Sequence, residues 1–348
     1  MKKTIFVLGL VTILVVTGIQ AFANAAAPYR RPGDQMLVFD DATGIALIEE
    51  WITYEISETY VGRGTVEVVY LLKNQTRDDE NITLLFLAPY LEKEAINISL
   101  DGEEIRDFTL EKAESIPENW EASLTQANID PVGNRELTYD YDHWKAYQGW
   151  SKQGFQFDIQ IPKGQEATLR MRYATEGGYY AYQDVVNHVY TQLYYLTPAS
   201  FWEGQAIINM TVKFPSDQFE LYSNMPMSKV EPGVYAGTLT GIPDEEWFFN
   251  YVHTKGLFFG TNHQKTHNLI VGALMVFTLM IGYVVRKKKS RKLGWLVSLL
   301  AIPQIALFRP TYGTLFFLMI FGPFIIGLVV IAGIIRYLVK RKERNACL

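Results

Sequence analysis

Spread evenly over 348 residues, a formal net charge of −5 and 49% hydrophobic residues would describe an ordinary soluble chain of two or three domains. The distribution excludes that description: Asn24–Thr266 carries 36 acidic and 18 basic residues, the first 23 residues carry only Lys2 and Lys3, and His267–Leu348 carries 12 Lys or Arg against one Glu. An acidic middle of this size repels nucleic acid and other polyanions, and the one cysteine, Cys347, excludes an internal disulfide.

The N-terminus has the three parts of a secretory signal: Lys2 and Lys3, the uncharged apolar run Ile5–Ile19, and Ala21-Phe22-Ala23 with small residues where a signal peptidase reads. Residues 1–23 are therefore read as a signal peptide cleaved after Ala23, with cleavage after Ala25 or an uncleaved anchor as alternatives.

From Met36 to Val252 the dominant pattern is alternation, the signature of strands. Eleven are predicted: 45–56, with Trp51 and Tyr54 on opposite faces, then 65–72, 82–87, 96–100, 155–161, 167–173, 189–195, 206–214, 219–222, 234–239 and 247–252. Asp101-Gly102, Pro162-Lys163-Gly164 and Glu231-Pro232-Gly233 supply turns. Such spacing implies a mainly β ectodomain, an antiparallel sandwich or two in series. The expected division is a first β region over 24–178, with an irregular aromatic insertion at 114–150, and a second over 179–256. A stalk at 257–268 follows.

Three apolar stretches come next, 269–285, 293–308 and 315–335, about 26, 24 and 32 Å long as helices. The second contains Pro303. The loop 286–292 reads RKKKSRK, contributing Arg286, Lys287, Lys288, Lys289, Arg291 and Lys292, and the tail 336–348 holds Lys340, Arg341 and Lys342. Basic clusters stay in the cytoplasm. Three transmembrane helices then satisfy every charge: the acidic domain outside, the loop and C-terminus inside. The expected location is the cell membrane, crossed three times.

The run VEVVYLLKNQT, then INISLDGEEI, FDIQIPKGQEATLRMRY, YYLTPASFWEG, VKFP, SNMP and the closing Trp-Phe-Phe-Asn-Tyr resemble a vault/inter-alpha-trypsin-like β-sandwich. Similar ectodomains occur in bacterial membrane proteins of uncharacterised function. The resemblance spans Ile45–Val252; it implies a fold and carries no catalytic residue.

The candidate ligand site is YDYDHWKAYQGW, where Tyr141, Trp144, Tyr147 and Trp150 stand among Asp140 and Asp142. Aromatic faces beside carboxylates suit sugar rings or a protein partner; the competing reading is rings plugging one end of the sandwich. Asp140, Asp142 and Glu136 lack the loop spacing of a calcium site. His263 and His267, four residues apart, lack a third metal ligand. Asp244-Glu245-Glu246 reads as a solvated loop. With no nucleophile or phosphate-loop motif, no metal and no cofactor are expected. The reading is a non-enzymatic binding, scaffold or sensor protein of the bacterial envelope, touching membrane lipid and a neighbouring membrane protein or cell-wall polymer. The alternatives are a cell-wall glycan hydrolase using Asp140 or Asp142, and an accessory subunit of a membrane transporter.

Overall fold

The computed structural model describes residues 28–30, 37–39, 44–88, 95–112, 129–137, 153–180 and 184–308. In chain order the strands are β1 (Pro28–Arg30), β2 (Leu37–Phe39), β3 (Ile45–Ile56), β4 (Arg63–Asn74), β5 (Glu80–Ala88), β6 (Asn97–Leu100), β7 (Glu103–Glu104), β8 (Thr109–Lys112), β9 (Ile129–Asp130), β10 (Arg135–Glu136), β11 (Gln153–Ile161), β12 (Glu166–Glu176), β13 (Gly178–Tyr180), β14 (Val189–Tyr194), β15 (Ile207–Lys213), β16 (Phe219–Ser223), β17 (Ser228–Glu231), β18 (Val234–Thr240) and β19 (Trp247–His253). The helices are α1 (Gln264–Lys288), α2 (Arg291–Leu299) and α3 (Ala301–Gln304). The described residues form two compact units, the first ending at Leu257 and the second built from residues 184–186 and 258–308.

The first unit is a β-sandwich. Its floor is an eight-stranded sheet in the order β17-β18-β15-β3-β4-β12-β6-β7. Two smaller sheets, β5-β11-β8 and β13-β14-β19-β16, face one side of that floor. The alternation in sequence makes this possible. In β12, Ala167, Leu169, Met171 and Tyr173 are buried, while Arg170 and Arg172 point out and meet Glu67 at 2.6 Å and Glu55 at 3.4 Å. A slip of one residue would bury both guanidinium groups, so the register follows from the pattern. Asp101 and Gly102, with φ of 50° and 86°, make the tight turn between β6 and β7 that an Asp-Gly pair favours.

One core runs under both smaller sheets. Tyr54 on the floor packs edge-on against Trp247 and Phe249 of β19, and Tyr173 does the same against Phe86 of β5. The floor takes β3, β4, β6, β7 and β12 from before residue 178 and β15, β17 and β18 from after it. β15 joins β3 in the one parallel pairing of this sheet. The two predicted β regions therefore share one sheet, and the fold is a single sandwich with a divided upper layer.

The second unit corrects the expectation of three membrane-spanning helices. Among the described residues, α1 alone is long and apolar enough to cross a bilayer, by length and composition. The second stretch does not form one span: α2 ends at Leu299, and the chain continues as the four-residue α3 and a 3-10 turn at Ile305–Leu307. Pro303 explains the break, because it has no N–H to give the carbonyl of Leu299. The third stretch and the tail, with Lys340, Arg341 and Lys342, lie outside the described residues, as does the signal peptide. The topology argued from three spans lapses with them.

Within this unit α2 returns along α1. Gly282 and Gly294 let the two backbones touch: a Cβ on Gly294 would lie 2.6 Å from the Gly282 carbonyl oxygen. The Gln304 amide donates to Thr278 Oγ1 at 2.8 Å, and His267 Nε2 lies 2.8 Å from the Leu307 carbonyl. The start of α1 is held by Asp184 and Val186, whose backbones bond Gln264 and Asn262.

Candidate functional site

The aromatic segment marked in the sequence, with Tyr141, Trp144, Tyr147, Trp150, Asp140 and Asp142, lies outside the described residues. Its ends are described. Leu137 is buried after the β9–β10 hairpin, and Gln153 opens β11 between Ala88 and Lys112. The two histidines are held by different partners: His263 precedes α1 with Nδ1 2.8 Å from Thr266 Oγ1, whereas His267 is buried against Phe259 and Leu307.

A different aromatic group is built at one end of the sandwich. Tyr179 of β13, Tyr190 of β14 and His188, just ahead of β14, form a triangle of rings, with centroids 5.9, 6.4 and 6.4 Å apart. Tyr179 and His188 are stacked at 22°. Tyr190 turns its other side to the buried Tyr251 at 5.5 Å, so the platform rests on the core. Burial, and then the neighbouring Tyr179, push the Tyr190 phenol above its ordinary range.

The turn between β3 and β4 closes this group. The Tyr251 hydroxyl donates to the Val61 carbonyl at 2.6 Å, and the Gly62 carbonyl accepts from the Gly177 N–H at 2.8 Å. A Cβ on Gly62 would stand 3.3 Å from the Tyr190 ring, so the backbone itself lies against that ring. The next residue, Arg63, pairs with Glu176 at 2.9 Å and covers Tyr60 at 5.8 Å. The result is a surface where Tyr179 is 53% and Tyr60 65% exposed, beside an exposed guanidinium–carboxylate pair. Flat rings take the C–H face of a sugar ring, and the polar groups around them exchange hydrogen bonds with hydroxyls.

Gly177 is the point where the platform is most sensitive. A Cβ there would fall 2.3 Å from the Thr191 carbonyl oxygen and 2.5 Å from Gln192 Nε2. Gly177→Ala is expected to cost about 1–3 kcal/mol by forcing β13 away from β14. Thermal melting of the full chain in detergent measures it; an unchanged midpoint would refute the close approach.

Sequence reasoning missed these residues. The run GGYYAY at 177–182 and the NHVY at 187–190 concentrate rings, and that density was the available signal. It also misread Glu246. That carboxylate is buried, accepts the N–H groups of Leu196 and Thr197 at 2.6 and 3.1 Å, and takes the Thr197 hydroxyl as well. It thereby caps the 3-10 turn Thr197–Phe201.

No family model matches the chain, and no curated protein matches it by sequence. Among solved structures it is similar to a Legionella pneumophila protein provisionally named a nutrient binding protein, at TM-score 0.40 and 10% identity over 66% of this chain and 72% of that one. Yeast LTA4 hydrolase follows at TM-score 0.35 and 12% identity, covering 64% and 31%. An M1 zinc metallopeptidase from Deinococcus radiodurans gives TM-score 0.31 and 10% identity, covering 60% and 42%. The chain spans less than half the length of the yeast hydrolase and of the Deinococcus metallopeptidase.

Proposed function

We propose that this chain is a membrane-anchored binding protein whose sandwich takes neutral carbohydrate on the platform of Tyr60, Tyr179, His188 and Tyr190. The observation that carries the reading is the triangle of Tyr179, His188 and Tyr190, with Tyr179 and His188 exposed and Tyr190 seated on the core at Tyr251. Rigid seating lowers the entropy lost when a ligand is ordered against the rings. The net charge of the acidic middle disfavours anionic polymers, which leaves an uncharged pyranose chain as the ligand that suits both features. The apolar α1 supports the anchoring, and the signal-like N-terminus supports a location outside the cytoplasm. A vault/inter-alpha-trypsin-like ancestry and a scaffold role in a bacterial envelope are part of the same reading.

The test is titration calorimetry on the full chain in neutral detergent, with oligomers of N-acetylglucosamine and of glucose as probes. Tyr179→Ala is expected to weaken binding roughly tenfold, the effect of losing about 1–2 kcal/mol of contact. Its melting temperature should stay close to that of the parent, because Tyr179 is half exposed. No heat with either probe, or equal affinity in the variant, overturns the carbohydrate reading.

A further inference from the structure

We propose that the turn joining α1 to α2 is a binding site for anionic phospholipid headgroups; the proposal rests on the membrane anchoring of α1 read above. Arg286, Lys287, Lys288, Lys289, Arg291 and Lys292 place six cations in seven residues, and all are exposed. Among the described residues none of the six makes an ion pair with a carboxylate.

The geometry gathers these charges into one patch. Gly282 and Gly294 bring the helices into backbone contact, and a Cβ on Gly294 would lie 2.5 Å from Arg286 Cβ. The last turn of α1 is therefore beside the first turn of α2. Arg286, Lys287 and Lys288 sit at the negative end of the α1 dipole, where cations are stabilised. Arg291 and Lys292 sit at the positive end of α2, where they are repelled, and no acidic residue stands in that turn to offset them. An anion placed at the start of α2 relieves this repulsion and meets cations from both helices at once.

The rings around the patch specify which anion. The guanidinium of Arg286 lies 5.5 Å above Trp295, and the ammonium of Lys287 lies 5.0 Å from the Tyr283 ring. Trp295 and Tyr283 are 60% and 54% exposed. Amphipathic rings with cations extending past them mark headgroup depth in a bilayer. Phe277, Met280, Ile281, Leu296 and Leu299 continue the surface as exposed apolar side chains, which suit acyl tails. A free phosphate would use the cations and leave the apolar part without a role. A lipid phosphate uses both.

The full chain, reconstituted into phosphatidylcholine vesicles, is tested for energy transfer from tryptophan to dansyl-labelled lipid. Labelled phosphatidylglycerol is expected to be enriched at the protein roughly tenfold over labelled phosphatidylcholine, and added salt should reduce the enrichment. Replacing all six cations by glutamine (R286Q, K287Q, K288Q, K289Q, R291Q, K292Q) should abolish the preference, with far-UV circular dichroism confirming that the helices persist. Equal transfer to both lipids, or a preference retained by the six-fold variant, overturns the proposal while leaving the anchoring intact. Competition by inorganic phosphate at the lipid's own concentration assigns the patch to free anions and overturns the lipid site. A chain that associates with neither vesicle overturns the anchoring and this site together.

Discussion

Raised above pH 10, the sandwich is expected to unfold within about one pH unit. The cause is a set of phenols that remain protonated in the folded chain. Burial pushes Tyr54, Tyr173, Tyr194 and Tyr195 well above their ordinary value of 10.0, and nearby Glu50 adds to the effect at Tyr173 and Tyr194. Tyr235 is pushed up to about 12 by burial and by Glu220. The sign follows from proton counting. Below pH 10 folded and unfolded chains both hold these protons, so the stability is present in full. Between 10 and the folded-state values only the unfolded chain loses them, so each rise in pH favours unfolding. Each phenol contributes about 1.4 kcal/mol per pH unit. Five together approach about 7 kcal/mol per unit, which is comparable to the whole stability of a domain.

The hydrogen bonds show why these phenols stay neutral. Tyr54 donates to the Leu193 carbonyl at 3.1 Å, and Tyr194 donates to Glu50 Oε1 at 2.8 Å. Tyr235 donates to the Phe219 carbonyl at 3.0 Å. A tyrosinate has no proton to give, and a second negative charge beside buried Glu50 is unfavourable. Tyrosinate absorbance at 295 nm, followed with circular dichroism, measures this. A distinct group of phenols should ionise together with the loss of structure. A smooth titration to completion in a chain that keeps its circular dichroism would contradict the buried network.

The strands were legible because one physical rule governs them. β12, and β3 from Glu50 onward, bury alternate residues, and that alternation is present in EATLRMRYATE and EWITYEI without any tertiary information, whereas the consecutive burial of Ile45, Ala46 and Leu47 ahead of the irregular register at Leu47–Glu49 is not. The prediction that Trp51 and Tyr54 take opposite faces holds for the same reason, with Tyr54 buried and Trp51 37% exposed. What failed depended on contacts distant in sequence. Glu246 looks solvated in an acidic triplet, because the N–H groups it caps lie some 50 residues earlier. The ring triangle of Tyr179, His188 and Tyr190 needs the β13–β14 register, which pairs Tyr179 with Tyr190. No local pattern announces it. In the second unit, composition overruled chain geometry. The 293–308 stretch is apolar enough to suggest a span, yet one proline divides its helix.

Trp247→Ala is expected to cost the sandwich about 3–5 kcal/mol, the usual range for emptying a large aromatic site. Trp247 is fully buried, with Phe249, Tyr54 and Tyr194 at ring distances of 5.1, 5.5 and 6.4 Å. Its indole N–H donates to Ser223 Oγ at 3.0 Å, which ties β19 to β16. The residues that would have to fill the gap cannot move freely. Tyr54 and Tyr194 are anchored by their hydroxyls, so the cavity stays open and its cost is high. Trp51→Ala is the matched control: the same atoms leave an exposed face, and the loss should stay below about 1 kcal/mol. Melting of the full chain in detergent should separate the two variants by roughly 5–15 °C. The consequence reaches the proposed platform, because β19 also carries Tyr251, on which Tyr190 stacks. If the platform binds carbohydrate as proposed, affinity should therefore fall in Trp247→Ala below its own midpoint temperature, whereas Trp51→Ala should bind as the parent does. Equal melting of the two variants would mean that β19 does not seat the core.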